Sequence, residues 1–261
     1  MTRRDDAARE PASEGNAAVR AAKRAGRAGH KQVRKLTRAG SDTRTKLLDA
    51  AEQLFADHGY EGASLRDVSL AAGVHLALST YHFGSKERLF DEVIGRRATE
   101  INRLRLEALA RIDPDAQSSS DTVRLLIRAY VSPFIEARYG RSQQWQAYAR
   151  LAAGLVNDRR WARIVRKYYD ECAHAYFVLW REALPDADQN ALLNAMSFMA
   201  ASMLYVCSYT NRFSRWKTKF ASRKSELDAV TEDLIRFVHA GFMSLAPERT
   251  GKASPAKSKR A

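Results

Sequence analysis

Residues 64–86 read SLRDVSLAAGVHLALSTYHFGSK, and the fold can be worked out from this stretch. Ser64 is a favourable helix N-cap, and Asp67 can return the hydrogen bond three positions later, so a helix is predicted to begin there. Gly73 then provides the left-handed residue that commonly ends a helix. A second helix of about two turns is predicted over residues 75–82. The stretch is therefore two short helices joined by a tight turn.

This arrangement is typical of a helix-turn-helix, whose second helix can lie in the major groove of DNA. Residues 75–82 are too polar to form part of a core. A preceding helix over residues 43–58 has apolar side chains at helical spacing, which are predicted to cover the two short helices. We therefore expect a three-helix DNA-binding head.

The stretch from Thr43 to Leu89 resembles the DNA-binding domain of the TetR family of bacterial repressors. The likeness is carried by a helix entered at Thr-Arg, by AGV at 72–74 and by YHFGSKERLF at 81–90. Its nearest likeness is to the branch of that family with fatty-acid-responsive regulators resembling PsrA. The resemblance implies an all-α, homodimeric transcriptional repressor that binds a palindromic DNA operator and is released by a small apolar effector, possibly an acyl compound. It implies no enzymatic activity and no cofactor.

Eleven residues are predicted to contact DNA, on the family motif and on the exposure expected of the head: Thr43, Arg44, Ser64, Arg66, His75, Leu76, Ala77, Thr80, Tyr81, His82 and Lys86. The macrodipole disfavours Lys86 in the first turn of its helix, so a DNA phosphate is expected beside it. His75 stands where relatives have Ser, Thr or Asn as N-cap. Ser79 stands where they have a branched aliphatic residue facing inward. These departures leave the operator sequence open.

The net charge of +14 is concentrated at the ends of the chain. Residues 17–41 carry eight Lys and Arg and no acidic residue, and residues 249–261 carry five and none. A basic balance confined to the ends favours a polyanionic partner that is reached by tails. A non-specific DNA-architectural protein is therefore an alternative function.

Four segments are predicted: a basic disordered arm (1–40), the head (41–101, with its helix-turn-helix at 64–83), a helical effector-binding and dimerisation domain (102–248), and a basic disordered tail (249–261). The pattern is all-α, with about nine helices and no alternating strand of useful length. The arm is rich in Ala, Arg and Gly, and a solvated tail is as good an interpretation of it as a DNA-binding one.

Aromatic and methionine side chains crowd the larger domain, and such side chains form adaptable apolar linings. The predicted effector pocket comprises Trp145, Tyr148, Tyr169, His174, Phe177, Met196, Met199 and Met203. Ordinary core is the alternative for each of them, and a pocket is inferred only because the family has one there.

A dimer interface is predicted where small residues and an amphipathic helix coincide: Ser197, Ala201, Leu204, Leu234, Phe237 and Phe242. The stretch 189–211 is long enough to span a membrane and has no charged residue. Asn and Ser side chains interrupt it, so a buried helix of an oligomer without membrane contact is the favoured interpretation. A membrane-associated helical protein is the alternative.

Enzymatic and metal-binding motifs are lacking. The six histidines have no His-Glu-x-x-His spacing, neither cysteine has a CxxC partner, and no GxGxxG or P-loop occurs. No secretory apolar segment follows Met1, which predicts a reducing, cytoplasmic and nucleoid-associated location with Cys172 and Cys207 as buried thiols.

Overall fold

The structure of the chain is a computed structural model, and it describes residues 40–139, 142–156, 158–207 and 222–246. All regular secondary structure in these ranges is helical, as predicted. The chain divides into two units, residues 1–47 and 48–261. Of the first unit, residues 40–47 are described, and they are helical. The predictions for the arm and for the basic tail fall outside the described residues, apart from residue 40.

The described residues form nine α-helices and two 3-10 helices. Helix α1 covers residues 40–58. The other α-helices are α2 (Leu65–Ala71), α3 (Leu76–Phe83), α4 (Lys86–Leu109), α5 (Ser119–Tyr139), α6 (Gln143–Leu155), α7 (Ala162–Ala183), α8 (Gln189–Cys207) and α9 (Arg223–Met243). The 3-10 helices are Pro114–Ala116 and Arg159–Trp161.

The start of α2 confirms the capping box. The Ser64 hydroxyl accepts a hydrogen bond from the backbone N–H of Asp67 at 3.2 Å, and the Asp67 carboxylate accepts one from the backbone N–H of Ser64 at 2.9 Å. Gly73 has a φ of +66°, the left-handed conformation that ends α2 and turns the chain into α3. These local signals fix the angle at which α3 leaves the turn.

The larger domain is built around α5, which packs against α4, α6, α7, α8 and α9. Its core contains interlocking aromatic rings. The Tyr130 ring meets Tyr176 edge to face at 5.1 Å between centroids, and Trp180 packs against Phe242 of α9 at 5.0 Å. Aromatic pairs at these distances stabilise a core beyond the area that they bury.

Helix α4 joins the helix-turn-helix to the larger domain. A fully buried carboxylate, Glu52 of α1, pairs with Arg97 at 2.8 Å and with Arg96 at 2.5 Å. One position before these arginines, α4 approaches α7 so closely that a Cβ atom on Gly95 would lie 2.5 Å from the ring of Tyr168. A larger residue at position 95 would force the Tyr168 ring to move.

Rings and ion pairs also connect the head to α7 and the 3-10 helix before it. The Trp161 ring lies 4.7 Å from that of Tyr60 and 4.4 Å from that of Phe90. Lys167 pairs with Asp91 of α4 at 2.6 Å. The start of α7 and the 3-10 helix before it therefore contact both the loop between α1 and α2 and helix α4.

Candidate functional site

Helix α3 presents one exposed face. Leu76 is 45% exposed and Tyr81 is 82% exposed, and Ala77 and Thr80 lie on the same exposed surface. Phe83 is fully buried on the opposite side. A short helix anchored on one side and open on the other has the form of a helix that can enter a DNA groove.

A buried pair of serines attaches α3 to α2. Ser79 is fully buried, and its hydroxyl lies 2.5 Å from that of Ser69, which also donates to the carbonyl oxygen of Leu65 at 2.7 Å. The family resemblance places an inward-facing aliphatic residue at position 79, and the structure confirms the direction. The polar partner was missed, although two serines ten positions apart across the turn are a signal for it.

The N-terminus of α3 lacks a side-chain cap. His75 has the extended backbone of an N-cap, yet its imidazole accepts no hydrogen bond from the first turn and is exposed. The backbone N–H of Leu78 donates to the carbonyl oxygen of His75 at 2.9 Å, and the His75 side chain caps none of the other N–H groups of that turn, which are open to an outside acceptor such as a phosphate oxygen. Thr80 is exposed, and its hydroxyl donates back to the carbonyl oxygen of Leu76 at 3.3 Å.

The remaining predicted DNA contacts occupy different settings. Arg66 of α2 is exposed and His82 of α3 is half-buried. Ser64 is exposed, but its hydroxyl is engaged in the capping box. Thr43 and Arg44 lie in the other unit, in the helical residues 40–47, where Arg44 is exposed and Thr43 half-buried.

Lys86 does not project toward solvent as a phosphate ligand should. Its ammonium group donates to the carbonyl oxygens of Tyr60 at 3.0 Å and Ala63 at 3.1 Å, lies 4.2 Å from the centre of the Tyr60 ring, and is 3.9 Å from the carboxylate of Glu61. These contacts explain how a cation tolerates the first turn of α4. In the absence of DNA, carbonyl oxygens of the chain itself occupy the Lys86 ammonium group, and its contact with a DNA phosphate stays a prediction.

A cavity of about 350 Å³ opens in the larger domain between α4, α5, α6, α7 and α8. Tyr169, Met196 and Met203 line it, as the predicted pocket requires. Tyr148 lies behind the wall, fully buried, with its hydroxyl 2.6 Å from that of Tyr169. Burial raises the pKa of Tyr169 to about 12 and that of Tyr148 well above its usual value, so both phenols stay protonated.

Four residues of the predicted pocket lie elsewhere. The Trp145 ring packs under the guanidinium of Arg97 at 4.7 Å. Met199 faces a separate cavity of about 550 Å³ between α8 and α9. His174 and Phe177 border a surface depression near the end of α7. Helical spacing places side chains on a helix, but it does not decide which neighbour each face meets.

Among the lining residues that sequence reasoning missed are Arg105, Tyr130 and Phe134. They lie on α4 and α5, before the aromatic-rich helices. Arg105 is the least expected of the three, because it is a cation and only 2% of it is exposed.

The predicted interface residues divide into two groups. Phe237 is 73% exposed, Ser197 and Ala201 are exposed, and Leu204 is half-buried. Leu234 and Phe242 are buried in the core of their own chain, because α9 packs along α5. Those two residues therefore support the protomer. Ser197 and Leu204 also line the cavity of about 350 Å³, so Ala201 and Phe237 are the predicted residues left for an interface.

Helix α8 is unusually apolar for its exposure. In the described part of the chain it is the one helix long and apolar enough to cross a membrane, and 22% of this apolar stretch is buried. Core helices of soluble proteins can have the same length and composition, so these two properties alone assign no membrane. Phe198 of α8, 69% exposed, lies with Phe237 around the cavity between α8 and α9.

Cys172 and Cys207 are buried and unpaired with each other, which confirms the prediction for both thiols. Among the described residues, no three of His, Cys, Asp and Glu are grouped so as to hold a metal ion.

Comparison with known families matches both parts of the chain. Residues 47–93 match the family described as bacterial regulatory proteins, tetR family, and residues 128–241 match the tetracyclin repressor-like C-terminal domain. Together the two matches cover more than half of the chain.

Curated relatives match over part of the chain, and two of them are described here. The chain is 43% identical over 49 residues to the HTH-type transcriptional repressor AcnR of Corynebacterium efficiens, covering 19% of this chain and 26% of that protein. It is 34% identical over 86 residues to the HTH-type transcriptional regulator AcrR of Shigella flexneri, covering 33% of this chain and 40% of that one. The chain thus spans less than half the length of either relative.

Among solved structures, the transcriptional regulator FadR of Bacillus subtilis, in complex with stearoyl-CoA, superposes with a TM-score of 0.52. The match covers 76% of this chain and 98% of that one at 14% identity. At that identity the likeness shows a shared fold.

Proposed function

Because the chain belongs to the TetR family of transcriptional regulators, we propose that it is a sequence-specific DNA-binding repressor that a small apolar effector releases from its operator. The observation that carries the proposal is the exposed face of α3, held by the buried Ser69–Ser79 pair and preceded by a capped α2. Proteins of this family are regulators and not enzymes, and the relatives at the head are named as transcriptional regulators.

A homodimer is part of this proposal. One two-turn helix reads few base pairs, whereas two copies related by a two-fold axis read two half-sites about one helical turn apart, which implies a palindromic operator. The exposed aromatic rings of Phe198 and Phe237 on α8 and α9 support that region as the surface where the copies meet. The prediction of a cytoplasmic, nucleoid-associated location without membrane contact belongs to the same proposal.

The effector is proposed to occupy the cavity of about 350 Å³ beside Tyr169, Met196 and Met203. Its volume and its mostly apolar wall are suited to a small apolar molecule. An acyl compound fits this lining and agrees with the resemblance to fatty-acid-responsive regulators. The structurally similar FadR of Bacillus subtilis is in complex with stearoyl-CoA, which also favours an acyl compound.

Release is proposed to work by a population shift between two arrangements of the head. An effector that binds one arrangement better favours it by its differential affinity. The contacts of Trp161 with Tyr60 and Phe90 supply a path, because the cavity is partly lined by α7, which begins at Trp161. A shift of α7 on binding therefore moves the base of the helix-turn-helix.

Genomic footprinting with the full-length protein tests the proposal. A recurrent palindrome that is bound at nanomolar concentration in vitro, and released by acyl compounds, is the expected result. Binding with steep salt dependence and no sequence preference would instead favour a DNA-architectural protein acting through its basic ends.

A further inference from the structure

Arg105 is a buried cation that pairs with no carboxylate in the part of the chain that the structure describes. Its side chain is 2% exposed, and it lies on α4 at the wall of the cavity described above. Its Nε donates to the carbonyl oxygen of Tyr130 at 2.9 Å. Its Nη1 lies 3.5 Å from the amide oxygen of Asn102, and its Nη2 lies 3.6 Å from the sulfur of Met203. The guanidinium also covers the Tyr130 ring at 3.9 Å.

These partners leave the positive charge poorly compensated. A thioether is a weak acceptor, and 3.5 Å is the outer limit of a hydrogen bond, so one strong bond serves a group with five N–H donors. No carboxylate of the described residues forms an ion pair with Arg105. Arg96 and Arg97, which are less buried, share the carboxylate of Glu52.

A buried charge normally has an ionic partner, because removing an ion from water costs several kcal/mol that only good pairing offsets. The guanidinium nitrogens of Arg105 with the weakest contacts are Nη1 and Nη2, the edge that pairs with a carboxylate through two parallel hydrogen bonds. A ligand that binds in the cavity is therefore best placed to supply the missing anionic partner of Arg105.

The other polar groups at the cavity are compatible with an anion beside Arg105. The Tyr169 phenol, neutral because burial raises its pKa to about 12, can donate its one O–H to the ligand when Tyr148 is the donor in the hydrogen bond between the two phenols. Asp170 also borders the cavity, but it is exposed and solvated. The rest of the wall is mainly apolar, including Phe134 and Met196.

We propose that the cavity binds an amphipathic monocarboxylate, whose head group pairs with Arg105 and whose apolar tail lies along Phe134 and Met196. This inference rests on the proposed function only in placing the effector in this cavity, and it narrows the acyl class to compounds with a free carboxylate. A thioester lacks that charge. A phosphomonoester brings up to two negative charges to a single buried cation, which leaves part of its charge unpaired.

The position of Arg105 gives such binding a route to the head. Its backbone carbonyl accepts a hydrogen bond from the hydroxyl of Tyr176 at 2.8 Å, and its side chain is bonded to the backbone of Tyr130. Helices α4, α5 and α7 therefore meet at this residue. A carboxylate that pairs with Nη1 and Nη2 displaces the contact of Nη2 with the Met203 sulfur, and so changes the contact between α4 and α8.

The experiment compares decanoate with decan-1-ol, which differ in the head group and share the tail. Affinity is measured by calorimetry and by the rise in Tm for the full-length wild type, for Arg105→Met, and for Arg105→Lys. Methionine approximates the volume of the arginine stem, and replacing a buried ion by an apolar residue is often neutral or stabilising. Arg181→Met, which removes an exposed arginine outside this cavity, is the matched control.

Wild type and Arg181→Met are expected to bind decanoate about 10- to 100-fold more tightly than decan-1-ol. Arg105→Met should lose that preference and keep its affinity for the alcohol. Arg105→Lys should retain part of the preference, because it keeps the charge without the planar fork. If Arg105→Met does not fold, the head-group preference of wild type and its reduction in Arg105→Lys still decide the matter.

Equal affinity of wild type for the two compounds would overturn the inference while leaving an apolar effector in the cavity. Unchanged discrimination in Arg105→Met would overturn it in the same way. If the protein binds neither compound but still binds DNA, both proposals are wrong: the ligand is not a monocarboxylate, and the effector does not bind in this cavity.

Discussion

The ammonium group of Lys86 donates a hydrogen bond to the carbonyl oxygen of Tyr60 at 3.0 Å and lies over the ring of the same residue at 4.2 Å. The first residue of α4 thereby holds the loop that leads from α1 into α2. Because the Tyr60 ring also meets Trp161 at 4.7 Å, the loop is clamped between the start of α4 and the start of α7. We therefore expect Lys86 to act on DNA binding through the shape of the head.

Lys86→Met is expected to weaken binding to operator and to random DNA by a similar factor without changing the salt slope. The variant leaves the carbonyls of Tyr60 and Ala63 without a donor, which should lower the free energy of unfolding by about 1–3 kcal/mol. Affinity measured over a range of salt concentrations gives the slope.

Arg66→Ala is the matched control for Lys86→Met, because Arg66 is an exposed cation on α2. If it contacts a phosphate, its loss should reduce the salt slope by about 0.9. A reduction of the same size in Lys86→Met would mean that Lys86 leaves its carbonyls and binds phosphate in the complex.

Local signals made the helix-turn-helix predictable. Two of these signals are the capping box of Ser64 and Asp67 and the positive φ of Gly73. Both depend only on residues close by in the chain, so they can be predicted from the local sequence. The partners of Lys86 are 23 and 26 positions away, and those of Ser79 lie across a turn. Composition alone cannot indicate that a lysine will meet carbonyls of its own chain before it meets a phosphate.

The effector cavity was predictable only in part, for a related reason. Tyr169, Met196 and Met203 line it, but helical spacing equally suited Met199, which faces a different cavity. The packing angle of α8 decides between these faces, and it is set by contacts with several helices at once. A charged side chain such as that of Arg105 is normally expected in solvent. Its burial results from the packing of several helices around it, which the sequence alone does not reveal.

Thr80→Ala should weaken binding to the operator by about 1 kcal/mol, roughly fivefold, and leave binding to random DNA almost unchanged. The exposed side chain of Thr80 lies on the open face of α3, where base edges would lie in the major groove. Competition assays with the two DNAs measure the difference. Thr99→Ala, an exposed threonine on α4, is the control, and an equal loss on both DNAs would contradict a reading role for Thr80.

His75→Asn should raise the free energy of unfolding by about 1 kcal/mol, because Asn caps a helix and the imidazole of His75 makes no cap hydrogen bond. Thermal unfolding measures the gain. His75→Ala removes the imidazole without supplying a cap, so it should show no gain. A loss of operator affinity in both variants would show that the imidazole itself touches DNA.

The buried thiol of Cys207 should make stability fall in alkali. Burial raises its pKa from 9.0 to about 12, although nearby Arg138 opposes the shift. The folded thiol thus stays protonated while the unfolded one ionises near pH 9, so its contribution to stability is complete below pH 9 and is lost between pH 9 and 12. At pH 10 the loss amounts to about 1.4 kcal/mol.

Urea unfolding of wild type and Cys207→Ala at pH 8 and pH 10 isolates this contribution. The buried tyrosines, whose pKa values burial also raises, act equally in both proteins. The alanine variant starts less stable because it leaves a small cavity, but it should lose about 1.4 kcal/mol less than wild type between the two pH values. An equal loss in the two proteins, or rapid reaction of the native thiol with an aromatic disulfide reagent at pH 8, would show that Cys207 reaches solvent in the folded state.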